Sequence, residues 1–253
     1  MIVAGIGFGL LVGALLGLVG GGGSILAVPA LVYGVGMPLA AAIPSSLVVV
    51  GASSVAAVIP RLGKDIHWPV ALTVGAAGGV VAFVGAAVNR LLPQELLLVL
   101  FAVIMVIAGI RMLWAARSGD GLGPDSADIV TWPWYLFRAI ATGMVVGFLT
   151  GLLGVGGGFL IVPALVLMLG LPMTMAVGTS LVIVAINSAF AFVSQTGHLE
   201  VDWGLTSGFA VAAMGASYVA GRLGRRLPEK MLKTGFAALV LLVAAYVLVM
   251  AAL

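Results

Sequence analysis

Gly17-Leu-Val-Gly-Gly-Gly-Gly-Ser-Ile-Leu-Ala-Val-Pro-Ala-Leu-Val32 and Gly151-Leu-Leu-Gly-Val-Gly-Gly-Gly-Phe-Leu-Ile-Val-Pro-Ala-Leu-Val166 are two copies of one glycine-rich block, one in each half of the chain. Superposing the halves from Gly9 to Gly63 leaves about 25 of about 55 positions identical, which marks an internal duplication. Both blocks are embedded in apolar sequence. Glycines permit backbone conformations at which a helix stops and restarts, and they let backbones approach closely. Paired glycine interruptions in two halves are the sequence pointer to the binding site of a secondary transporter.

Composition fixes the solvent. The 253 residues are 63% hydrophobic and only 8% charged, with mean hydropathy +1.31. Soluble domains carry about 25% charged residues. A core of this size cannot bury so much apolar surface, so lipid must take it. The sequence therefore predicts an all-α integral membrane protein, multi-pass, in the cell (inner) membrane, with about 8 to 10 membrane segments. Ile2–Val19 lacks a basic region before it and a small-residue cleavage site after it, so it reads as a membrane segment of the mature protein. The net charge of +3 belongs to short loops beside apolar segments and is no nucleic-acid footprint. Cysteine is absent, which removes disulfides and thiolate metal sites.

The first half, residues 1–114, offers five apolar segments, and residues 135–253 offer their counterparts. Between them, 115–134 is a polar, turn-rich linker with Asp120, Gly121, Gly123, Pro124 and Asp125. Three segments per half approach the ~20 residues that a span needs. Ser24–Gly36 and Phe159–Gly170, the segments after the glycine blocks, are shorter and read as half-helices or re-entrant arms. If each half crosses an odd number of times, Arg61, Lys64, Arg111, Arg117, Arg222, Arg225, Arg226, Lys230 and Lys233 share one side, with only Arg90 opposite and Arg138 close to the linker side. The positive-inside rule thus favours inverted repeats with both termini outside, built from five crossings or from a broken hairpin plus three spans.

Three constellations carry the candidate site. At a restarted helix, free amides and the positive dipole end attract an anion. This nominates Gly20, Gly22, Gly23 and Ser24 in the first block and Gly154, Gly156, Gly157 and Gly158 in the second. Gly9, Gly13, Gly17 and Gly143, Gly147, Gly151 have the spacing of small-residue helix packing and are assigned to that. The second constellation is Pro44-Ser-Ser-Leu47 with Ser53 and Ser54, matched by Gly178-Thr-Ser-Leu181 with Asn187 and Ser188. Ser46, Ser180 and Asn187 are its candidate ligand donors, against the plainer account of hydroxyls bonding to their own helix. The third is the loop pair after the third segments. Arg61, with Gln195 as its counterpart, is a candidate anion-steering residue, and His67 and His198 lie at the boundary.

What is missing also discriminates. All eight Asp and Glu lie in loops or at segment ends, which disfavours a cation as cargo. No nucleophile–base pair, HExxH or cofactor motif is present, so the reading is not an enzyme and requires no cofactor.

At these residues the chain resembles the TauE/SafE family of sulfite exporter or sulfonate permease-like membrane transporters. The resemblance runs through Gly147-Phe-Leu-Thr-Gly-Leu-Leu-Gly-Val-Gly-Gly-Gly-Phe-Leu-Ile-Val-Pro163, Ala176-Val-Gly-Thr-Ser-Leu181, Asn187-Ser188 and Val201-Asp-Trp203. The first half departs from it, with Pro44-Ser45 where the second has Gly178-Thr179, and with Arg61. The resemblance implies transport of small sulfur-containing anions such as sulfite or organosulfonates. The partners expected are a small anionic substrate, the lipid bilayer and a coupling ion, proton or sodium. There is room for a homo-oligomer, and no nucleic acid is expected. A passive anion channel and a structural membrane protein stand as alternatives.

Overall fold

A computed structural model describes residues 2–63, 65–89, 91–117, 132–153, 158–194 and 202–252, and among these residues every regular element is helical. Helix α1 is Ile2–Val19, followed by a single 3-10 turn at Gly21–Gly23. Helix α2, Ser24–Pro29, continues as a π-turn over Ala30–Gly34. Then come α3 (Leu39–Val58), a 3-10 turn at Ile59–Arg61, α4 (Trp68–Asn89) and α5 (Gln94–Arg117). The second half repeats the order with α6 (Trp132–Leu153), α7 (Gly158–Leu167), α8 (Met173–Ser194), α9 (Trp203–Gly224) and α10 (Glu229–Ala252).

Among the described residues, six stretches are long and apolar enough to cross a membrane: Ala41–Arg61, Trp68–Asn89, Leu96–Arg117, Tyr135–Leu153, Met173–Val193 and Glu229–Leu248. This is an all-α integral membrane protein. Helix α9 has 22 residues but is more polar, with Thr206, Ser207, Ser217 and Arg222. It lies against both α1 and α3.

The short segments form the arms of hairpins. Gly20 turns the chain with φ 79° and ψ −136°, a conformation open to glycine and strained for other residues. The return arm then runs back along α1: a methyl on Gly23 would sit 2.7 Å from the Leu16 nitrogen, and one on Gly34 would sit 2.5 Å from the Phe8 ring. Pro29 cannot donate to the helix ladder, and the backbone widens into the π-turn directly after it. At ten residues, α7 rises about 15 Å, half of the ~30 Å hydrocarbon core. Arg138 near the start of α6 donates to the Met168 carbonyl at 3.0 Å, just past the end of α7, so the second hairpin also returns to its base. The segments that read as half-helices are thus return arms.

Packing between the halves is an exchange. Gly9, Gly13 and Gly17 of α1 press on the Phe209, Ala213 and Ser217 carbonyls of α9, with no space for a methyl group. Gly143, Gly147 and Gly151 of α6 do the same to Val74, Gly78 and Ala82 of α4. In both pairs the numbers rise together, so the paired helices run parallel. Van der Waals contact between small residues drives such association in lipid. The assignment of these six glycines to packing agrees with this geometry. Helices α3 and α8 cross centrally, where Gly51 faces Ser188, and α5 packs along α10.

Candidate functional site

The two helix restarts meet each other. A methyl on Gly21 would overlap the carbonyl of Gly158, and one on Gly158 would lie 2.7 Å from Ser24 Oγ and 2.9 Å from the Gly21 oxygen. Gly20 joins them, with Ser180 Oγ 2.6 Å and Val162 Cγ2 3.1 Å from the position its methyl would take. Gly20, Gly21, Ser24, Gly158 and Ser180 therefore converge, all buried. The N-terminal ends of two arms from opposite halves lie side by side, which concentrates two positive dipole ends at one point.

Other nominated residues go elsewhere. Gly22 faces Val19, Leu239 and Phe236, the last two on α10, and Gly23 packs on Leu16 of α1. Gly154, Gly156 and Gly157 lie outside the described residues, as do Gln195 and His198. Ser24 donates to the Gly21 carbonyl at 2.6 Å. Ser46 and Ser180 donate in the same way, to Ile43 at 2.7 Å and to Val177 at 2.8 Å. Each hydroxyl is thus satisfied by its own helix, three residues back, and keeps only its oxygen lone pairs free. Asn187 differs: its Oδ1 is buried without a partner, 4.0 Å from where a methyl on Gly79 would sit. Ser53 and Ser54 hydroxyls are likewise buried and unpartnered.

Arg61 is fully buried. Its Nη2 donates to the Gly17 carbonyl at 3.1 Å and its Nη1 to the Thr174 carbonyl at 3.5 Å, while Nε has no partner. Gly17 lies in the last turn of α1, so the guanidinium caps the negative end of the helix that breaks at Gly20. Among the described residues no carboxylate makes an ion pair with it. The second break is held by a neutral group instead. Asn89 Nδ2, at the end of α4, donates to Leu152 in the last turn of α6 at 2.6 Å. Sequence reasoning missed Asn89; its signal was an amide closing an apolar segment.

The residue pair that distinguishes the halves, Ser45 and Thr179, ties α3 to α9 and α8 to the loop after α3. Thr179 Oγ1 accepts from the His67 amide at 3.0 Å, and Thr206 donates to Ser45 Oγ at 2.9 Å. His67 in turn accepts the Val70 amide on Nδ1 at 3.4 Å, capping the start of α4. Burial pushes the His67 imidazole below its ordinary pKa, which suits a neutral ring acting as acceptor. Asp202 does the same for α9, accepting from Gly204 and Leu205 at 3.0 and 3.2 Å. Both of these polar boundary residues are helix caps.

The chain is a bundle of apolar helices in which the arms of the two halves meet at Gly21 and Gly158. The family described as sulfite exporter TauE/SafE matches residues 5–247. The chain belongs to the TauE/SafE family. A "Probable membrane transporter protein" of Xylella fastidiosa is 34% identical over 247 residues, covering 96% of this chain and 93% of the relative. "Probable membrane transporter protein YunE" of Bacillus subtilis is 29% identical, covering 88% and 87%. "Probable membrane transporter protein MJ0441" of Methanocaldococcus jannaschii is 30% identical over 193 residues, covering 74% and 69%. No solved structure matches. As a TauE/SafE protein the chain is a multi-pass membrane transporter and not an enzyme.

Proposed function

We propose that this TauE/SafE protein is a secondary transporter of small anions, sulfite or an organosulfonate first among them, bound where the two hairpin tips meet. The observation that carries the proposal is Arg61. A guanidinium taken wholly out of water costs several kcal/mol unless its charge is compensated. Here two carbonyls supply partial compensation and Nε is left without a partner. This favours a negative charge. The converging N–H groups of helix starts suit the oxygens of a sulfur oxyanion. The family name points to the same substrate class.

The tips pack backbone to backbone, so the contact described is a closed one, and an anion enters as the restarts separate. Gradient energy drives this, with proton or sodium as the coupling ion. The two halves act as inverted repeats, with residues 1–114 and 135–253 joined by 115–134. The test is saturable uptake and counterflow of labelled sulfite or methanesulfonate in proteoliposomes, competed by related oxyanions. Uptake of neutral or cationic solutes with no response to any oxyanion refutes the anion reading. Flux without counterflow means a passive channel.

Orientation follows from the charges. Arg61, Arg225 and Lys233 cluster at the end where α1, α3 and α9 finish and α10 begins. On the positive-inside rule that end is cytoplasmic, and α10 carries the C-terminus to the opposite side. A phosphatase fused after Leu253 is expected to be active and a fluorescent protein fused there dark. The reverse pattern overturns the inverted-repeat reading.

A further inference from the structure

The basic end of the molecule holds a second cationic group that the hairpin tips do not use. Arg225, just past the end of α9, is 41% exposed, and its Nε pairs with Asp65 Oδ2 at 2.6 Å. Its Nη1 donates to the Pro60 carbonyl, beside Arg61. Asp65 is 20% exposed and belongs to the α3–α4 loop. That loop is clasped onto α8. The Asp65 carbonyl presses on Gly178 with no space for a methyl, Ile66 is buried, and the His67 amide bonds Thr179. Gly224, the residue before Arg225, lies against Arg61: a methyl on it would sit 2.9 Å from Arg61 Nη2, so Arg225 and its partner Asp65 stand next to the buried guanidinium.

One carboxylate therefore stands before two guanidiniums. It is bonded to the outer one, while the inner one is buried beside the broken end of α1. Like charges held this close repel unless an anion lies by them. Asp65 serves as that anion from within the chain. Its tether is the loop itself, so it can leave Arg225 for water without any covalent change.

We propose that Arg225 and Arg61 form a vestibular anion site on the basic face, in which the Asp65 carboxylate stands in for a small oxyanion. An arriving oxyanion takes the place of Asp65 on Arg225 and comes within reach of the buried Arg61. Release of Asp65 then loosens the loop clasped over Gly178 and Thr179. Asp65 and Arg225 were not read as site residues from sequence, because a loop carboxylate and a helix-end arginine are ordinary solvated groups until the fold sets them beside Arg61. The proposal rests on the anion reading and adds an entry site and an internal competitor to it.

The test is anion binding by the purified full chain, read as the rise in unfolding temperature with sodium sulfite or sodium methanesulfonate at constant ionic strength. Asp65→Asn removes the competitor and keeps the shape. The half-saturating sulfite concentration is expected to fall about fivefold, the scale of one partly exposed charge pair. Arg225→Gln is expected to raise it about fivefold, and Arg225→Lys, which keeps the charge, to lie between. Size-exclusion profiles identify folded variants, and the lysine variant keeps the test open if the glutamine variant fails to fold. Wild-type midpoints in Asp65→Asn and in the Arg225 variants overturn the vestibule while leaving the anion reading in place. If no oxyanion shifts the wild type or any variant, both fall.

Discussion

Alanine at Gly158 or Gly21 is expected to bring transport down to background, a loss of at least about a hundredfold, with Gly22→Ala close to wild type. The three positions look alike in sequence, yet their surroundings differ. A methyl on Gly21 overlaps the Gly158 carbonyl, and one on Gly158 meets Ser24 and Gly21 within 3 Å. Backbone cannot move aside without separating the two arms, and forcing extra volume into a packed contact costs about 1–3 kcal/mol or more. A methyl on Gly22 meets the ends of Val19 and Leu239 at 3.2 and 3.3 Å, which can turn away. Uptake into proteoliposomes, with size-exclusion profiles as the folding control, checks the ranking. Normal transport by Gly21→Ala and Gly158→Ala would mean that the tip contact takes no part in carriage. Equal loss in all three would mean that the glycines serve folding alone.

The second large effect is expected at Arg61. Arg61→Gln removes the buried charge while keeping a donor for the Gly17 carbonyl, so the cap survives in part and the attraction for an anion does not. Transport is expected to fall by about a hundredfold, about 2.7 kcal/mol, with a smaller loss of thermal stability. Removing one partner of a buried carbonyl costs about 1–3 kcal/mol. Arg61→Lys keeps the charge but loses the planar fork that reaches Gly17 and Thr174 together. It is expected to retain binding of sulfite and to lose most of the rate. If Arg61→Gln transports sulfite with wild-type rate and KM, Arg61 is only a helix cap, and the anion site must be sought along Ser53 and Asn187.

Sequence alone fixed the broad answer because the relevant signals are local or periodic. Hydropathy needs no partner to be read, so the all-helical membrane class followed from composition. The duplication gave the positions of both breaks, and the four-residue spacing of Gly9, Gly13 and Gly17 gave the packing faces of α1 before their partner was known. The family followed from the paired blocks. The short segments after them were recognised by length, as arms too short to span.

Only the tertiary structure decided which face each residue of those blocks presents. Gly21 and Gly158 are far apart in sequence, and nothing in either block says that they touch. That depends on α1 packing on α9 and α6 on α4, an exchange between halves that hydropathy cannot encode. Consecutive residues at a helix restart point in directions about 100° apart. Gly21 therefore meets the opposite arm, Gly22 meets α10 and Gly23 meets α1. The same holds for polarity. From sequence, Ser46 and Ser180 are candidate ligand donors with self-bonding as the plainer account, and in the fold they donate to the Ile43 and Val177 carbonyls of their own helices. Arg61 looked like a loop residue beside a proline, and the fold buries it whole. A charge is read from the sequence, whereas its compensation is a property of what surrounds it, and burial is set by every helix at once.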